Sequence, residues 1–212
     1  MRKNNYPFVV IEGNIGAGKT TLASALAKQY NGNLLLEKFQ DNPFLPLFYK
    51  NPDKYGFMVE INFLIERYKQ LYDFQQLSLF RQFTIADFYF NKSLIFSTKT
   101  LDEKEYNLYK KIYHIINSKL PIPDLYIYLK QPVGKLLENI KKRGRPYEQD
   151  IDETYLKKID TAYFDFFKTV KNFPVAIIDI SQVDILKKDI LQAFYHCIFN
   201  EKFKQGINYY NL

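Results

Sequence analysis

Apolar positions along the chain form short continuous runs that alternate with longer helical repeats. Short apolar runs predict buried parallel strands, because a strand covered on both faces has no regular polar positions. These runs lie at residues 8–12, 34–37, 83–86, 125–129 and 175–179. Repeats with a period of about 3.6 residues predict helices, and these lie at residues 17–30, 53–80, 103–118, 133–142, 151–170 and 184–199.

The alternation predicts one domain of the α/β class over residues 1–212, with a five-stranded parallel sheet covered by helices on both faces. A chain of 212 residues has the length of one domain. Its composition, 47% hydrophobic and 25% charged, excludes a chain that is disordered throughout. No apolar run approaches the ~20 residues of a membrane span. The lone cysteine, Cys197, excludes an intrachain disulfide and favours a cytoplasmic location.

The chain is basic, with 30 Lys and Arg residues against 23 Asp and Glu residues and a formal charge of +7. This balance indicates an anionic partner, such as nucleic acid, an acidic membrane surface or a phosphate ligand. The densest positive cluster is Lys-Lys-Arg-Gly-Arg at 141–145, and basic residues elsewhere are mostly interleaved with acidic ones. We therefore expect neither nucleic acid nor a membrane as a partner.

Residues 13–20, Gly-Asn-Ile-Gly-Ala-Gly-Lys-Thr, match the phosphate-binding loop of nucleoside triphosphate enzymes. An apolar strand precedes the loop and a helical repeat follows it, as this motif requires. Glycines let backbone N–H groups converge on phosphate oxygens at the start of a helix. Lys19 is expected to reach the β- and γ-phosphates, and the Thr20 hydroxyl to ligate Mg²⁺. The residues expected to bind ATP in this loop are Gly13, Asn14, Ile15, Gly16, Ala17, Gly18, Lys19, Thr20 and Thr21.

The loop is common to nucleotide kinases, GTPases, helicases and transporter ATPases. The chain has neither the Asp-x-x-Gly segment after an early strand nor the Asn/Thr-Lys-x-Asp segment of GTPases. A length of 212 residues leaves no room for a tandem helicase core. These observations favour a small kinase.

Five blocks in order make the chain resemble the deoxynucleoside kinase family, which phosphorylates the 5′-hydroxyl of deoxynucleosides. The first is the loop at 11–21, and the second is Glu37 followed by Asp-Asn-Pro-Phe-Leu at 41–45. The third runs from Tyr49 through Phe-Met-Val-Glu at 57–60 to Arg67. The last two are Asp-Phe-Tyr-Phe-Asn-Lys-Ser-Leu-Ile-Phe at 87–96 and Arg-Gly-Arg-Pro-Tyr-Glu-Gln at 143–149. The resemblance is to the bacterial branch of deoxyadenosine, deoxyguanosine and deoxycytidine kinases.

The resemblance implies a general base and a sugar site. Glu37 ends a predicted strand at the edge where α/β sheets bind ligands. The matching glutamate of the family orients the 5′-hydroxyl and accepts its proton, because a neutral hydroxyl is a poor nucleophile. Tyr49 and Glu148 match residues that contact the sugar 3′-hydroxyl. Without the resemblance, Glu37 would also fit a solvated strand end, and Tyr49 one aromatic among many.

The resemblance also implies a nucleobase pocket lined by Glu60, Arg67 and Phe96, with Phe96 stacked on the base. Glu60 and Arg67 are seven residues apart and share one helix face. Glu60 departs from the glutamine that is usual in the family. An amide both donates and accepts hydrogen bonds, whereas a carboxylate only accepts them. Base selectivity therefore does not transfer from the family to this chain.

Asp87 and Lys92 have two alternative assignments. Many family members carry Glu-Arg-Ser at the end of this strand, followed by an Asp. An ungapped comparison matches Asp87 with that Arg and Lys92 with that Asp. The two charges would then be reversed, and the ion pair would be retained. A shift of one residue matches Asp87 with the Glu and implies that it helps to hold Mg²⁺. The two assignments differ in whether Asp87 lies near the Thr20 hydroxyl or near the base pocket.

Residues 139–151 resemble the arginine-rich lid of the family. Arg143 and Arg145 are expected to close over the γ-phosphate, because guanidinium groups bind phosphate oxygens bidentately and neutralise their charge. Asn139 stands where the family has its first lid arginine, and Lys142 is the candidate to compensate. Asp184 follows the last predicted strand and resembles the loop that frames the adenine of ATP.

Together these features predict an ATP- and Mg²⁺-dependent deoxynucleoside kinase of nucleotide salvage, and the resemblance implies a homodimer. One alternative is a nucleoside monophosphate kinase similar to thymidylate kinase. That activity needs extra cations for the acceptor phosphate, for which Arg67 and Lys92 are the obvious candidates. The other alternative is a nucleic-acid-binding ATPase, which needs basic residues concentrated on one face.

Overall fold

Six strands of the described residues form one parallel sheet in the computed structural model, which describes residues 6–39, 42–77 and 83–212. The strands are β1 (Phe8–Gly13), β2 (Asn33–Leu35), β3 (Thr84–Ala86), β4 (Leu125–Lys130), β5 (Pro174–Asp179) and β6 (Gly206–Tyr210). Their order across the sheet is β2-β3-β1-β4-β5-β6, so β1 lies between β3 and β4.

Eight α-helices and a short 3₁₀ helix accompany the strands within the described ranges. They are α1 (Lys19–Gln29), α2 (Leu45–Lys50), α3 (Pro52–Leu77), α4 (Asn91–Thr100), α5 (Glu103–Asn117), α6 (Val133–Arg143), the 3₁₀ helix Pro146–Glu148, α7 (Glu153–Thr169) and α8 (Lys188–Phe199).

The helices bury both faces of the sheet, as the continuous apolar runs require. Val9 and Ile11 of β1 belong to a core with residues of α1, α6 and α8. Phe8 and Val10, which alternate with them, belong to a second core with residues of α3, α4, α5 and α7. The predicted α/β fold with a parallel sheet is therefore confirmed.

The prediction of five strands is wrong, because β6 adds a sixth strand at the edge of the sheet. This strand pairs only with β5 among the described strands, and its side chains alternate between half-buried and exposed. Tyr209, for example, is 75% exposed. An edge strand of this kind lacks the continuous apolar run that marks the other strands.

Several predicted helix boundaries differ from those of the structure, and two helices, α2 and α4, were not predicted. Helix α1 begins at Lys19 rather than at residue 17, because Gly16 and Gly18 adopt positive φ angles of 82° and 86°. Helix α8 begins at Lys188 rather than at residue 184. The helix predicted over 53–80 is α3, and residues 78–80 lie outside the described residues. No helix of the described ranges is long and apolar enough to cross a membrane.

The parallel arrangement brings three functional segments to the carboxyl edge of the sheet. The phosphate-binding loop begins at the end of β1, Glu37 lies two residues beyond β2, and Asp87 directly follows β3. Because these three strands are neighbours, their carboxyl ends form one side of a crevice, as is typical of open α/β sheets.

Candidate active site

The phosphate-binding loop has the geometry that its sequence predicts. A Cβ atom at Gly16 would lie 2.6 Å from the Leu136 carbonyl oxygen, so this position needs glycine for space as well as for its φ angle. Lys19 Nζ donates hydrogen bonds to the carbonyl oxygens of Gly13 and Asn14, each at 2.9 Å. Burial, together with nearby Lys92, lowers the pKa of Lys19 to about 8. A triphosphate in the loop would compensate for this burial and keep Lys19 charged.

The other loop residues fix the backbone or border the crevice. Asn14 Nδ2 donates to the Leu156 carbonyl oxygen at 2.8 Å, and Asn14 Oδ1 accepts from the Ile15 N–H at 2.8 Å. Ala17 is buried in the core, whereas Thr20 and Thr21 are exposed at the start of α1. The free amides of the first turn of α1 therefore face a region open to an anion.

Asp87 lies on the phosphate side of the crevice. The Thr20 hydroxyl donates to Asp87 Oδ2, and Asp87 Oδ1 accepts from the Glu37 backbone N–H at 2.8 Å. Burial raises the pKa of Asp87 above its usual value. The ion pair between Asp87 and Lys92 that the ungapped comparison implies is not formed, because Lys92 binds Glu37 instead.

The Thr20 and Asp87 oxygens fit a Mg²⁺ site. Mg²⁺ prefers oxygen ligands and takes one or two from the protein, completing its shell with water and substrate phosphates. No group of three or more His, Cys, Asp or Glu residues suited to a metal occurs in the part of the chain that the structure describes. A metal held here would therefore depend on the phosphates for part of its shell.

Glu37 is bound by two buried cations. Arg67 approaches Glu37 Oε1 with Nε at 2.8 Å and Nη2 at 2.6 Å, and Lys92 Nζ binds Glu37 Oε2. Burial alone would raise the pKa of Glu37, but the charges and hydrogen bonds of Lys92 and Arg67 lower it to about 2. Glu37 is thus a fixed, ionised carboxylate at the mouth of the crevice.

A pocket extends from Lys19 and Glu37 between α2, α3, α4 and α7. It contains the residues predicted for the acceptor: Glu37, Tyr49, Glu60, Arg67, Asp87, Lys92, Phe96 and Glu148. Lys92 Nζ lies 5.7 Å from the centre of the Phe96 ring. The rings of Tyr49 and Tyr147 stack with centroids 5.9 Å apart. The structure therefore brings the whole predicted set into one pocket.

Two pairs of opposite charge join residues within the predicted lid. Arg143 Nη2 and Arg145 Nη1 both bind the buried Glu148, the latter at 3.0 Å. The Arg145 guanidinium also lies 3.7 Å from the centre of the Phe39 ring. Asn139, the residue in place of the first lid arginine, donates to the Gly16 carbonyl oxygen at 2.8 Å. This position thus anchors α6 to the loop instead of supplying a cation.

A second pocket borders the first and contains most of the residues predicted to bind ATP. Ile15 lines the first pocket instead, and Gly13 and Asn14 line neither. The walls of the second pocket include Lys142, Asp184 and the loop from Gly16 to Thr21. Asp184 Oδ1 accepts from the Leu186 N–H at 3.0 Å, which fixes the turn that follows β5. The two pockets share four lining residues, which are Lys19, Thr20, Arg143 and Arg145. This junction is where a donor phosphate in one pocket would meet a hydroxyl in the other.

Glu12 and Tyr155 were not predicted as part of this region. Glu12 is fully buried and accepts hydrogen bonds from the Tyr89 N–H at 3.1 Å and the Tyr163 hydroxyl at 3.0 Å. It joins the end of β1 to the segment between β3 and α4, and burial raises its pKa. The sequence signal that could have identified Glu12 is its position directly before the glycine loop.

Tyr155 lines the acceptor pocket from α7, and no sequence motif marks it. Asp41, in the second block of the resemblance, lies outside the described residues.

Comparison with known proteins gives one consistent family. The family described as deoxynucleoside kinase matches residues 9–195. A deoxyguanosine kinase of Bacillus subtilis is 43% identical over 161 residues, which are 76% of this chain and 78% of the relative. A deoxyadenosine kinase of Dictyostelium discoideum is 36% identical over 180 residues, 82% of this chain and 72% of the relative.

Solved structures give the same result. The deoxyadenosine kinase from M. mycoides with bound dATP superimposes with a TM-score of 0.77 and 27% identity, over 89% of this chain and 97% of the other. The same enzyme with bound dCTP gives a TM-score of 0.74 and 28% identity over the same shares.

Proposed function

The chain belongs to the deoxynucleoside kinase family of phosphotransferases, and from this we propose that it transfers the γ-phosphate of ATP to the 5′-hydroxyl of a deoxynucleoside. The observation that carries the proposal is the junction of the two pockets at Lys19, Thr20, Arg143 and Arg145. Glu37 borders the acceptor side of that junction. A phosphate and a hydroxyl bound on its two sides meet where cations surround the reacting atoms.

The loop residues 13–21 bind the ATP phosphates through backbone N–H groups and Lys19 in this proposal. Thr20 and Asp87 would hold Mg²⁺, which would neutralise charge on the β- and γ-phosphate oxygens. Asp184, in the turn beside the loop, borders the region proposed for the adenosine part of ATP. Support for this division comes from the exposure of the Thr20 side chain and its hydrogen bond to Asp87.

Glu37 orients the 5′-hydroxyl and accepts its proton as the new P–O bond forms. A carboxylate with a pKa of about 2 is a weak base for a free hydroxyl. Glu37 therefore acts as a fixed, charged hydrogen-bond acceptor that aligns the 5′-hydroxyl. It takes the proton only when the 5′-oxygen has already gained positive charge. Arg67 and Lys92 keep the carboxylate in one orientation.

The lid, residues 139–151, would provide the remaining charge. Arg143 and Arg145 bind the transferring phosphoryl group and exclude water from it, which prevents hydrolysis of ATP. In the structure both guanidinium groups bind Glu148. Glu148 would then lose part of its contacts with Arg143 and Arg145, and it would contact the sugar 3′-hydroxyl together with Tyr49.

The charge balance of the acceptor pocket favours a deoxynucleoside over a deoxynucleoside monophosphate. Arg67 and Lys92 are the cations that an acceptor phosphate would require, and both are bound to Glu37. A monophosphate would have to displace this buried carboxylate from its partners. A neutral deoxynucleoside needs no such exchange.

The finer biological setting belongs to the same proposal. We expect a cytoplasmic homodimer in nucleotide salvage that binds neither nucleic acid nor membranes. The single cysteine, Cys197, is buried, which is compatible with a reducing compartment.

An acceptor assay with ATP labelled at the γ-phosphate tests the proposal. The labelled phosphate should appear on deoxynucleosides and not on thymidine monophosphate or another deoxynucleoside monophosphate. Transfer to a monophosphate, with no transfer to deoxynucleosides, would contradict it.

A further inference from the structure

One carboxylate oxygen in the acceptor pocket has no partner. Glu60 lies on α3, is 4% exposed and lines the pocket. Its Oε2 atom has no hydrogen-bond partner among the described residues. A buried polar atom without a partner is costly, so this oxygen is a candidate to accept a hydrogen bond from a bound ligand.

The cations near Glu60 do not satisfy this oxygen. Arg67 directs Nε and Nη2 at Glu37 and Nη1 at Ser93 Oγ, the last at 2.9 Å. Lys92 is bound to Glu37 as well. Burial raises the pKa of Glu60 to about 7, although the charge of Arg67 and a hydrogen bond from Thr100 act in the opposite direction. The carboxyl group is therefore available to a ligand rather than committed to an ion pair.

The position of Glu60 suits the base end of a nucleoside. Glu60 and Arg67 are seven residues apart on one helix, which separates them by about 10 Å along its axis. Arg67 binds Glu37, the residue proposed for the 5′-hydroxyl. A deoxynucleoside whose 5′-hydroxyl contacts Glu37 would extend its base toward Glu60, with Phe96 on a neighbouring wall of the same pocket.

The chemistry of an ionised carboxylate restricts the base that it can recognise. Its two oxygens only accept hydrogen bonds, so a good partner has two donors side by side. Guanine offers such a pair in N1–H and the 2-amino group. Adenine and cytosine present a ring-nitrogen acceptor next to their amino donor, and thymine has one donor between two carbonyl oxygens. A carboxylate meets a lone-pair acceptor in each of these three bases.

We propose that Glu60 makes this enzyme selective for guanine deoxynucleosides by accepting hydrogen bonds from N1–H and the 2-amino group. The inference rests on the proposed kinase function and assigns its base specificity to one side chain. The glutamine usual at this position in the family offers one donor and one acceptor, which suits adenine and cytosine as well as the O6 and N1–H pair of guanine, so it does not exclude the first two bases as a carboxylate does.

The protonation state of Glu60 gives the selectivity a pH dependence. A protonated carboxyl donates one hydrogen bond and accepts another, so it resembles glutamine and fits adenine. The preference for deoxyguanosine over deoxyadenosine should therefore increase as the pH rises through 7 and Glu60 ionises. Groups that influence this ionisation from the surrounding elements are Glu37 beyond β2, Arg67 of α3, Lys92 and Thr100 of α4, Tyr109 of α5 and Tyr155 of α7.

The test measures kcat/KM for deoxyguanosine, deoxyinosine and deoxyadenosine with the wild type and with Glu60→Gln. Deoxyinosine keeps N1–H and lacks the 2-amino group. We expect the wild type to prefer deoxyguanosine over each of the other two by at least ~10-fold, the scale of a lost base contact. Glu60→Gln should lower the ratio of deoxyguanosine to deoxyadenosine by at least ~10-fold. The ratio should rise between pH 6 and pH 8 in the wild type and stay constant in the variant.

Glu66→Gln is the matched control, because Glu66 lies on the same helix and pairs with Lys69 outside the pocket. It should leave the base preference and its pH dependence unchanged. A Glu60→Gln variant that lowers activity equally for all three acceptors would overturn the inference and leave the kinase function intact. The wild-type comparison of deoxyguanosine with deoxyinosine tests the inference even when the variant does not fold, because equal kcat/KM values for the two would overturn it. Absence of transfer to every deoxynucleoside would overturn the proposed function and, with it, this inference.

Discussion

Replacing Glu37 with glutamine removes the carboxylate on which the proposed transfer depends. The amide keeps nearly the same shape but cannot accept a proton from the 5′-hydroxyl. We expect kcat to fall at least ~10²-fold, the lower scale of lost general base catalysis. This change corresponds to about 2.7 kcal/mol of transition-state stabilisation. ATP binding should be largely retained, because the loop residues do not depend on Glu37.

The same substitution should destabilise the free protein. Arg67 and Lys92 have side chains that are 3% and 8% exposed, and both would lose their carboxylate partner. Breaking a buried ion pair in this way costs about 3–5 kcal/mol. Urea unfolding of the wild type and the variant measures this loss. A double variant, Glu37→Gln with Lys92→Met, should recover part of the stability and none of the activity, which separates catalysis from folding.

The pH dependence provides an independent check on Glu37. Its pKa of about 2 is below its usual value, so the ionised form is favoured in the folded protein. The stability that Glu37 contributes is present above its ordinary pKa and is lost as the pH falls toward 2. Ionisation of Glu37 should therefore produce no change in kcat between pH 5 and pH 8. A folded Glu37→Gln variant with nearly normal kcat would refute this role.

Three further substitutions test the phosphate side of the crevice. Lys19→Ala should abolish phosphoryl transfer in the γ-labelled ATP assay, because Lys19 is the cation of the loop, and retained activity would overturn the ATP site. Arg143→Ala should reduce kcat more than it raises the KM for the acceptor, and steady-state kinetics showing only a raised KM would make Arg143 a binding group instead. Asp87→Asn should weaken the Mg²⁺ dependence of ATP binding in titration calorimetry, whereas binding that depends on Mg²⁺ as in the wild type would exclude Asp87 as a ligand.

Local sequence pattern was sufficient for most of the fold. Continuous apolar runs identified β1, β3, β4 and β5 because these strands are buried on both faces. Strand β2 is an edge strand with half-buried and exposed side chains, and the run of three leucines at residues 34–36 identified it. Strand β6 was missed because it is an edge strand with half-exposed side chains, for which periodicity alone is a weak signal. Its pairing with β5 depends on tertiary contacts that no local pattern contains.

The site was partly predictable for a different reason. Glu37 lies two residues beyond β2 and Asp87 directly follows β3. Parallel strands align their carboxyl ends, so the topology brings these residues to the phosphate loop. The ion pairs of Glu37 could not be predicted in this way. Glu37 lies 30 residues from Arg67 and 55 from Lys92, and their meeting depends on the packing of α3 and α4. The alternative pairing of Lys92 with Asp87 could therefore be resolved only in three dimensions.

The basic cluster at 141–145 has different partners in the structure from those that the sequence predicts. The cluster at 141–145 predicts cations facing a triphosphate, and the structure shows both Arg143 and Arg145 bound to Glu148. This pairing joins residues that are near neighbours in sequence, and the count of charges along the chain does not show it.

The stoichiometry of the proposed transfer is measured by comparing the ATP consumed with the 5′-phosphorylated product formed, using a deoxynucleoside as the only acceptor. The reaction is followed by chromatography, and the phosphorylated position is assigned by nuclear magnetic resonance. We predict one deoxynucleoside 5′-monophosphate for each ATP consumed, and almost no ATP consumption without an acceptor. Consumption of ATP that is independent of the deoxynucleoside, or a phosphate on another position, would contradict the account.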